Sequence, residues 1–151
     1  MISIQQADFD HAEEYYKLRE SSDGDGAIIT FTGLVRDHNN EGSVSSLYLE
    51  HYPGMAEKSL MNICSEARRK WPLGQVRIIH RVGHLSKNEQ IVFVGVSSAH
   101  RDAAFTAAQF IMDHLKSEVP LWKKEGTSAG SSWVQAKESD KQALKCWQTK
   151  I

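Results

Sequence analysis

Residues 76–97 read VRIIHRVGHLSKNEQIVFVGVS. Val76, Ile78, His80 and Val82 alternate with Arg77, Ile79 and Arg81, the two-residue period of a strand. Gln90–Ser97 is almost wholly apolar and reads as a further strand. Gly83–Glu89 turns the chain between them. The same pairing of strands recurs upstream. Ala27–Val35 is rich in β-branched and aromatic residues, and Val44–His51 alternates, with the polar loop Asp37–Gly42 between the two. Strands that come in consecutive pairs favour a mixed or antiparallel sheet covered by helices, which is an α+β class rather than a doubly wound one.

The helices fall between and around these pairs. Asp8–Ser21 carries Phe9, Ala12, Tyr15, Tyr16 and Arg19 and reads as amphipathic, ahead of the turn Asp23-Gly24-Asp25-Gly26. From Met55 to Trp71, the residues Ala56, Leu60, Ile63, Cys64, Ala67 and Trp71 mark one helical face, and Pro72 and Gly74 stop it. Arg101–Glu118 is the second long helix, with Ala104, Ala107, Ala108, Ile111 and Leu115 toward the core. A small β-rich tail follows, with Leu121–Glu125, Ser132–Ala136 and a short helix near Asp140–Trp147. No repeat, low-complexity block or linker divides the 151 residues, so residues 1–151 are expected to form one domain.

Eighteen Lys+Arg against nineteen Asp+Glu give a net charge of −1, which argues against a protein wrapped by nucleic acid but leaves room for a local anion pocket. No glycine-rich loop follows a strand in the manner of a nucleotide site. Cys64 and Cys146 lie far apart, and Cys64 reads as a small buried hydrophobe. The first residues have no charged-then-apolar leader pattern and no stretch reaches membrane-spanning length, so the reading places the chain in the reducing cytoplasm. His51 and His80 lack a neighbouring carboxylate or cysteine at ligand spacing, and no metal is assigned.

Chemistry concentrates in three places. In residues 110–125, FIMDHLKSEVPLWKKE, Lys116 ends a helix, Pro120 breaks it, and Lys123, Lys124 and Glu125 follow. An ammonium against Phe110, Leu115, Val119 and Trp122 is partly desolvated and usable for proton transfer, nucleophilic attack or anion stabilisation. The same lysines also read as solvated charges at the negative end of a helix dipole. In SAHRDAAF, Ser98 is expected to cap a helix whose first turn holds His100 and Arg101, beside free backbone N–H groups suited to an anion. Arg36 ends the strand FTGLV, where Gly33 marks a bulge or a close approach.

The segments DGAIITFTGLVRDHN, LEHYPGMAEKSL, KWPLG, HRVG, IVFVGVSSAHRDAAF and QFIMDHLKSEVPLWKKE, in order over nearly the whole chain, resemble the large catalytic subunit of molybdopterin synthase. That resemblance implies an α/β-hammerhead-type fold and a sulfurtransferase of molybdenum cofactor biosynthesis. Such an enzyme converts cyclic pyranopterin monophosphate (precursor Z) to molybdopterin. Two sulfurs arrive as the C-terminal Gly-Gly thiocarboxylate of a small ubiquitin-like subunit, and a homodimer of large subunits forms the centre of a heterotetramer. Carried over by motif, Lys116 and Lys123 become catalytic, and Leu34, Val35, Arg36, His100, Arg101, Lys124 and Glu125 become substrate-binding, with neither metal nor cofactor. Lys124 and Lys137 stand where the family often has arginine, which keeps the charge and loses the fork; the role of Lys137 stays open. The alternative is a non-catalytic anion-binding or regulatory subunit.

One conflict lies within that site. No proline or glycine interrupts the helix from Arg101 to Lys116, so fifteen residues separate its charged ends by ~22 Å at 1.5 Å per residue. One small pterin does not span that distance, and a two-fold dimer that brings one helix start to the other helix end resolves it.

Overall fold

The alternation in residues 76–97 becomes two neighbouring antiparallel strands in the middle of a four-stranded sheet. In the computed structural model the described residues are 1–36, 38–39, 42–127, 130–134 and 138–149, with side chains described for 1–36, 46–123 and 141–148. The elements run β1 (Ile2–Gln5), α1 (His11–Ser21), β2 (Ala27–Leu34), β3 (His38–Asn39), β4 (Gly42–His51), α2 (Met55–Lys70), β5 (Leu73–Arg81), β6 (Gly83–Ser86), β7 (Gln90–Ser98), α3 (Arg101–Glu118), β8 (Leu121–Thr127), β9 (Gly130–Val134) and α4 (Glu138–Thr149).

There are two sheets. The first has the order β1-β5-β7-β2, with β1 parallel to β5 and the other pairs antiparallel. The second runs β3-β4-β8-β9, with β6 along the other side of β4. This is the α+β class with a mixed sheet and a β-rich C-terminal part expected from the sequence. Three strands go beyond the sequence reading. β1 is too short to show a period. β6 lies inside the segment read as a turn, and β3 inside the segment read as a polar loop. Each is held by pairing with another strand, which local pattern does not reveal.

α2 and α3 cover one face of the first sheet. Ala56, Leu60, Ile63 and Ala67 from α2 meet Ala107, Ala108, Phe110, Ile111 and Leu115 from α3 over Val76, Ile78, Val92, Val94 and Val96, and Ala104 of α3 is buried as well. Both helical faces are the ones the 3.6-residue period marks. The alanines remove side-chain bulk and let α3 lie close to the strands, while each fully buried Leu, Ile or Phe stabilises the fold by about 1.5–3 kcal/mol. α1 covers the opposite face through Leu18, against Phe9, Ile79 and Phe93.

The buried face of α1 differs from the expected one. It starts at His11, where the Asp10 carboxylate caps it by accepting from the Glu13 N–H at 3.1 Å, and it buries Glu14 and Leu18 while Tyr15 and Tyr16 stay exposed. The reason is an ion pair. Glu14 accepts two hydrogen bonds from the Arg77 guanidinium, at 2.9 and 2.6 Å, which lets a carboxylate occupy the inner face.

A smaller cluster of Val35, Leu47, Leu49, Val82 and Leu85 joins the two sheets, and Ile4 and Leu121 pack against both this cluster and the large one. α4 docks through Trp147, whose ring meets Trp71 and Phe110 edge-on and whose Nε1–H donates to Asp113 Oδ2 at 2.7 Å. Among the described residues no helix is long and apolar enough to cross a membrane.

Candidate functional site

α3 is one uninterrupted helix, and its direction decides which candidate residues meet. β7 starts beside the end of β2, with Gln90 opposite Leu34, and finishes with Ser98 opposite Ala27 and Leu73. α3 then returns across the sheet. His100 and Arg101 therefore sit at one end of the sheet, and Lys116 returns toward the end where β2 finishes.

At the Lys116 end the helix stops at Glu118, Val119 is extended, and the Leu121 N–H donates to the Val119 carbonyl at 2.8 Å as β8 begins. Lys116 is in the last helical turn, exposed, where the dipole favours a cation. On β8, Leu121 lies opposite His51 and Lys123 opposite Leu49. Directly paired residues share a face of the sheet. Leu49 is 1% exposed and belongs to the inter-sheet cluster, so Lys123 emerges from the core-facing row, with an apolar floor under an exposed ammonium.

Arg36 reaches the same region. Val35 is buried in that cluster with Leu49 and is clasped by two backbone hydrogen bonds: its N–H donates to the Glu89 carbonyl at 2.9 Å, and its carbonyl accepts from the Asn88 N–H at 3.0 Å. This fixes the take-off of exposed Arg36, next to Leu34, which is also exposed. The irregularity expected at Gly33 is present as a register shift between Gly33 and Leu34. A Cβ at Gly33 would stand 2.8 Å from Val92 Cγ1, so the close approach is real as well. Lys124 and Glu125 take the register positions opposite Tyr48 and Leu47; their side chains, and all of Lys137, fall outside the described residues.

His100 and Arg101 stand apart from this group. β7 alone, nine residues from Gln90 to Ser98, spans about 26 Å at 3.3 Å per residue. The expected cap is corrected here: His100, not Ser98, is the N-cap of α3, and it makes no side-chain capping bond. Ser98 Oγ instead donates to the Pro72 carbonyl at 2.8 Å, tying the end of β7 to the segment after α2. The first turn of α3 therefore presents backbone N–H groups without a side-chain cap from His100, beside exposed His100 and Arg101.

Two residues in this region went unassigned in the sequence. His80 is 5% exposed, and its Nδ1 lies 2.8 Å from the Arg81 carbonyl. Burial lowers its pKa to about 4; the bond to Arg81 opposes the shift, while the like charges of Lys123 and His51 add to it. His51 itself has a carboxylate partner that its local sequence does not show, Glu57 of α2 at 3.8 Å. The available clue for His80 was a polar residue in the apolar row Val76, Ile78, Val82. Arg81, equally suggestive in HRVG, is structural. It donates to the Gln6 and Gln90 carbonyls and so binds the segment after β1 and the start of β7 to β5. Cys64 packs against the large cluster, and burial pushes its thiol pKa up, in keeping with a bland role. Among the described residues no group of three or more His, Cys, Asp or Glu is placed to hold a metal.

The fold and these two groups describe an α+β protein with basic side chains at both ends of one long helix. Residues 4–118 match the model of the MoaE protein family, and the chain belongs to that family. It is 58% identical to the molybdopterin synthase catalytic subunit of Escherichia coli (strain K12) over 92% of each chain. Among solved structures, the molybdopterin biosynthesis MoaE protein from Burkholderia ambifaria MC40-6 superposes with a TM-score of 0.85 at 45% identity, covering 99% of both chains. Molybdopterin synthase from Staphylococcus aureus superposes at 0.80 and 34% identity, over 87% of this chain and 95% of that one.

Proposed function

We propose that the chain is the catalytic subunit of a molybdopterin synthase, a sulfurtransferase of molybdenum cofactor biosynthesis working in the cytoplasm as one 1–151 domain. The observation that carries this reading is the 58% identity to a molybdopterin synthase catalytic subunit over 92% of each chain. The docking of α4 through Trp147 onto Trp71 and Phe110 supports the single domain. The substrate is cyclic pyranopterin monophosphate, and both sulfurs come from the C-terminal thiocarboxylate of a small ubiquitin-like subunit. Two catalytic chains form the centre of a heterotetramer.

Both reactants are anions, which suits the residues available. Lys116 and Lys123 contact the thiocarboxyl end of the partner and stabilise the charge that develops during transfer, where fixed cations on an apolar floor act more strongly than in water. Arg36 and, from the other catalytic chain, His100 and Arg101 hold the pterin phosphate, with Leu34, Val35, Lys124 and Glu125 completing the pocket. The nucleophilic sulfur belongs to the partner, so the chain itself needs no reactive cysteine. The test is conversion of the purified pterin precursor by this chain with the thiocarboxylated small subunit. Formation of the dithiolene is expected; binding of the pterin without sulfur insertion would replace this reading with a non-catalytic subunit.

A further inference from the structure

The outer flank of α3 and the sheet edge below it carry exposed apolar side chains that the reaction as assigned above leaves unused. β2 is an edge strand, the last in the order β1-β5-β7-β2. α3 packs over β7 and β2, and α2 over β5 and β1. One flank of α3 is filled: Phe110 meets the rings of Trp71, at the end of α2, and Trp147 of α4. The other flank lies above the β2 edge. There Arg101, Phe105, Met112 and Lys116 fall in one stripe, at successive spacings of four, seven and four residues. Phe105 is 58% exposed, and Phe31 on β2 is 43% exposed. Phe31 pairs with Val94, a residue of the large cluster, so it lies on the same face of the sheet as α3. Its ring reaches along the strand to Gly33, where an added Cβ would stand 3.6 Å from Phe31 Cε1.

An edge strand is a ready template for pairing with another chain, and spacing and symmetry say which chain. Centred over β7 and β2, α3 lies about 2.4 Å inside β2 for strands ~4.8 Å apart. A second β2 added at the edge places its own α3 ~10 Å from the first, the distance at which two helices pack. A two-fold axis perpendicular to the sheet keeps both α3 helices on one face and makes both pairings antiparallel. The stripe on α3 is self-complementary under that operation. Arg101 comes opposite Lys116 of the second copy, and the same midpoint, between Ala108 and Gln109, brings Phe105 opposite Met112. We propose that this flank, the β2 edge with α3 above it, is the surface on which a second copy of the chain seats, joining the two first sheets into one. Arg36, just past the end of β2, then nears the start of the second β2, where Ala27 pairs with Ser98, three residues before Arg101. This interface rests on the dimeric reading above and supplies what that reading needs, the two charged ends of α3 at one seam.

Mass in solution tests it without reference to activity. The full-length chain should sediment as a dimer. Phe31→Glu and Phe105→Glu should each raise the dimer dissociation constant at least ~100-fold, since two-fold symmetry buries the new carboxylate twice. Tyr16→Glu should leave the dimer unchanged; that side chain is 60% exposed, but on α1, across the sheet. Adding Met112→Lys to Phe105→Glu should recover at least ~10-fold, because the two positions face each other only across the axis. Circular dichroism checks that the variants fold, and should Phe31→Glu fail to, Phe105→Glu decides alone. A Phe105→Glu chain that dimerises like wild type, or a double variant no tighter than the single one, overturns the proposal. A Phe105→Glu dimer that no longer binds the small subunit gives the flank to that partner and overturns it too. A monomeric wild-type chain removes the interface and the shared site together. A dimer that meets every expectation yet forms no dithiolene strikes the sulfurtransferase reading and leaves the interface standing.

Discussion

His80 and Arg81 are adjacent on one strand, and both are buried, yet burial treats them oppositely. Three hydrogen bonds to carbonyls and the nearby carboxylates of Asp8 and Glu89 satisfy the Arg81 guanidinium, whereas His80 gives up its charge. That difference has a measurable consequence. Unfolded, His80 regains an ordinary pKa near 6.5, while in the fold it is held at about 4. The unfolded chain therefore binds more protons between those values, so this contribution to stability is complete above pH 6.5 and is lost as the pH falls through 4. Its ceiling is about 3 kcal/mol, at roughly 1.36 kcal/mol per pKa unit. Thermal midpoints of wild type and His80→Gln should converge toward pH 4, and parallel profiles would refute the assignment. At the same scale, Lys116→Ala and Lys123→Ala should each lower turnover by on the order of 100-fold, the usual size of a charge-stabilising or proton-transferring group, with the fold intact. Near-normal rates in both would remove them from the mechanism. Arg101→Ala should mainly weaken pterin binding, and added salt should weaken it in the wild type too; unchanged affinity would refute that role.

Between elements, much of the anchoring runs through single contacts that no local pattern announces. Asp25 in the turn before β2 accepts from Ser97 Oγ at 2.7 Å, and Ser97 Oγ accepts from the Gln75 N–H at 2.7 Å, joining three segments at one end of the first sheet. Gly74 fits under this bracket because it has no side chain; a Cβ there would overlap Asp25 Oδ2 and stand 2.6 Å from Ser97 Oγ. Gly74→Ala should therefore cost about 1–3 kcal/mol, the usual penalty for overpacking. Asp25→Ala should recover part of it, since the clash is with its carboxylate. Strictly additive denaturant midpoints in the double variant would show the bracket to be unimportant. The same distinction explains what was legible in the sequence. The periods of α2 and α3 placed their inner faces correctly, because each buries a continuous apolar stripe. The inner face of α1 was not legible, because Glu14 lies inward on the strength of Arg77, 63 residues away. β1, β3 and β6 exist through pairing with other strands. The site residues were legible as motifs, but their division between two ends of α3 followed from helix length alone.

For the whole molecule, that division is the strongest constraint on assembly. Lys116, Lys123 and Arg36 gather toward the inter-sheet cluster, while His100 and Arg101 lie across the sheet, beyond the nine residues of β7. The helix between them is rigid: no glycine or proline interrupts Arg101–Glu118, and its inner face is locked against the strands by six buried residues. Side-chain length offsets only part of a separation of ~22 Å. If all these residues serve one pterin, the Arg101 group must come from a second copy, and a two-fold axis then generates two identical shared sites. In each, Lys116 and Lys123 belong to one chain and His100 and Arg101 to its mate. At pterin concentrations too low to offset the weakened binding of Arg101→Ala, chains of that variant alone and Lys116→Ala chains alone should both be nearly inactive. Mixed and allowed to exchange subunits, they form a heterodimer in which one site carries both defects and the other carries neither. Random exchange makes half of the dimers mixed, each with one working site, so activity should reappear at about a quarter of the wild-type level for the same total chain. Subunit exchange demonstrated by mass spectrometry, with activity still absent, would mean that each chain builds its site alone, and the Arg101 end of α3 would then have to serve something other than the pterin bound beside Lys123.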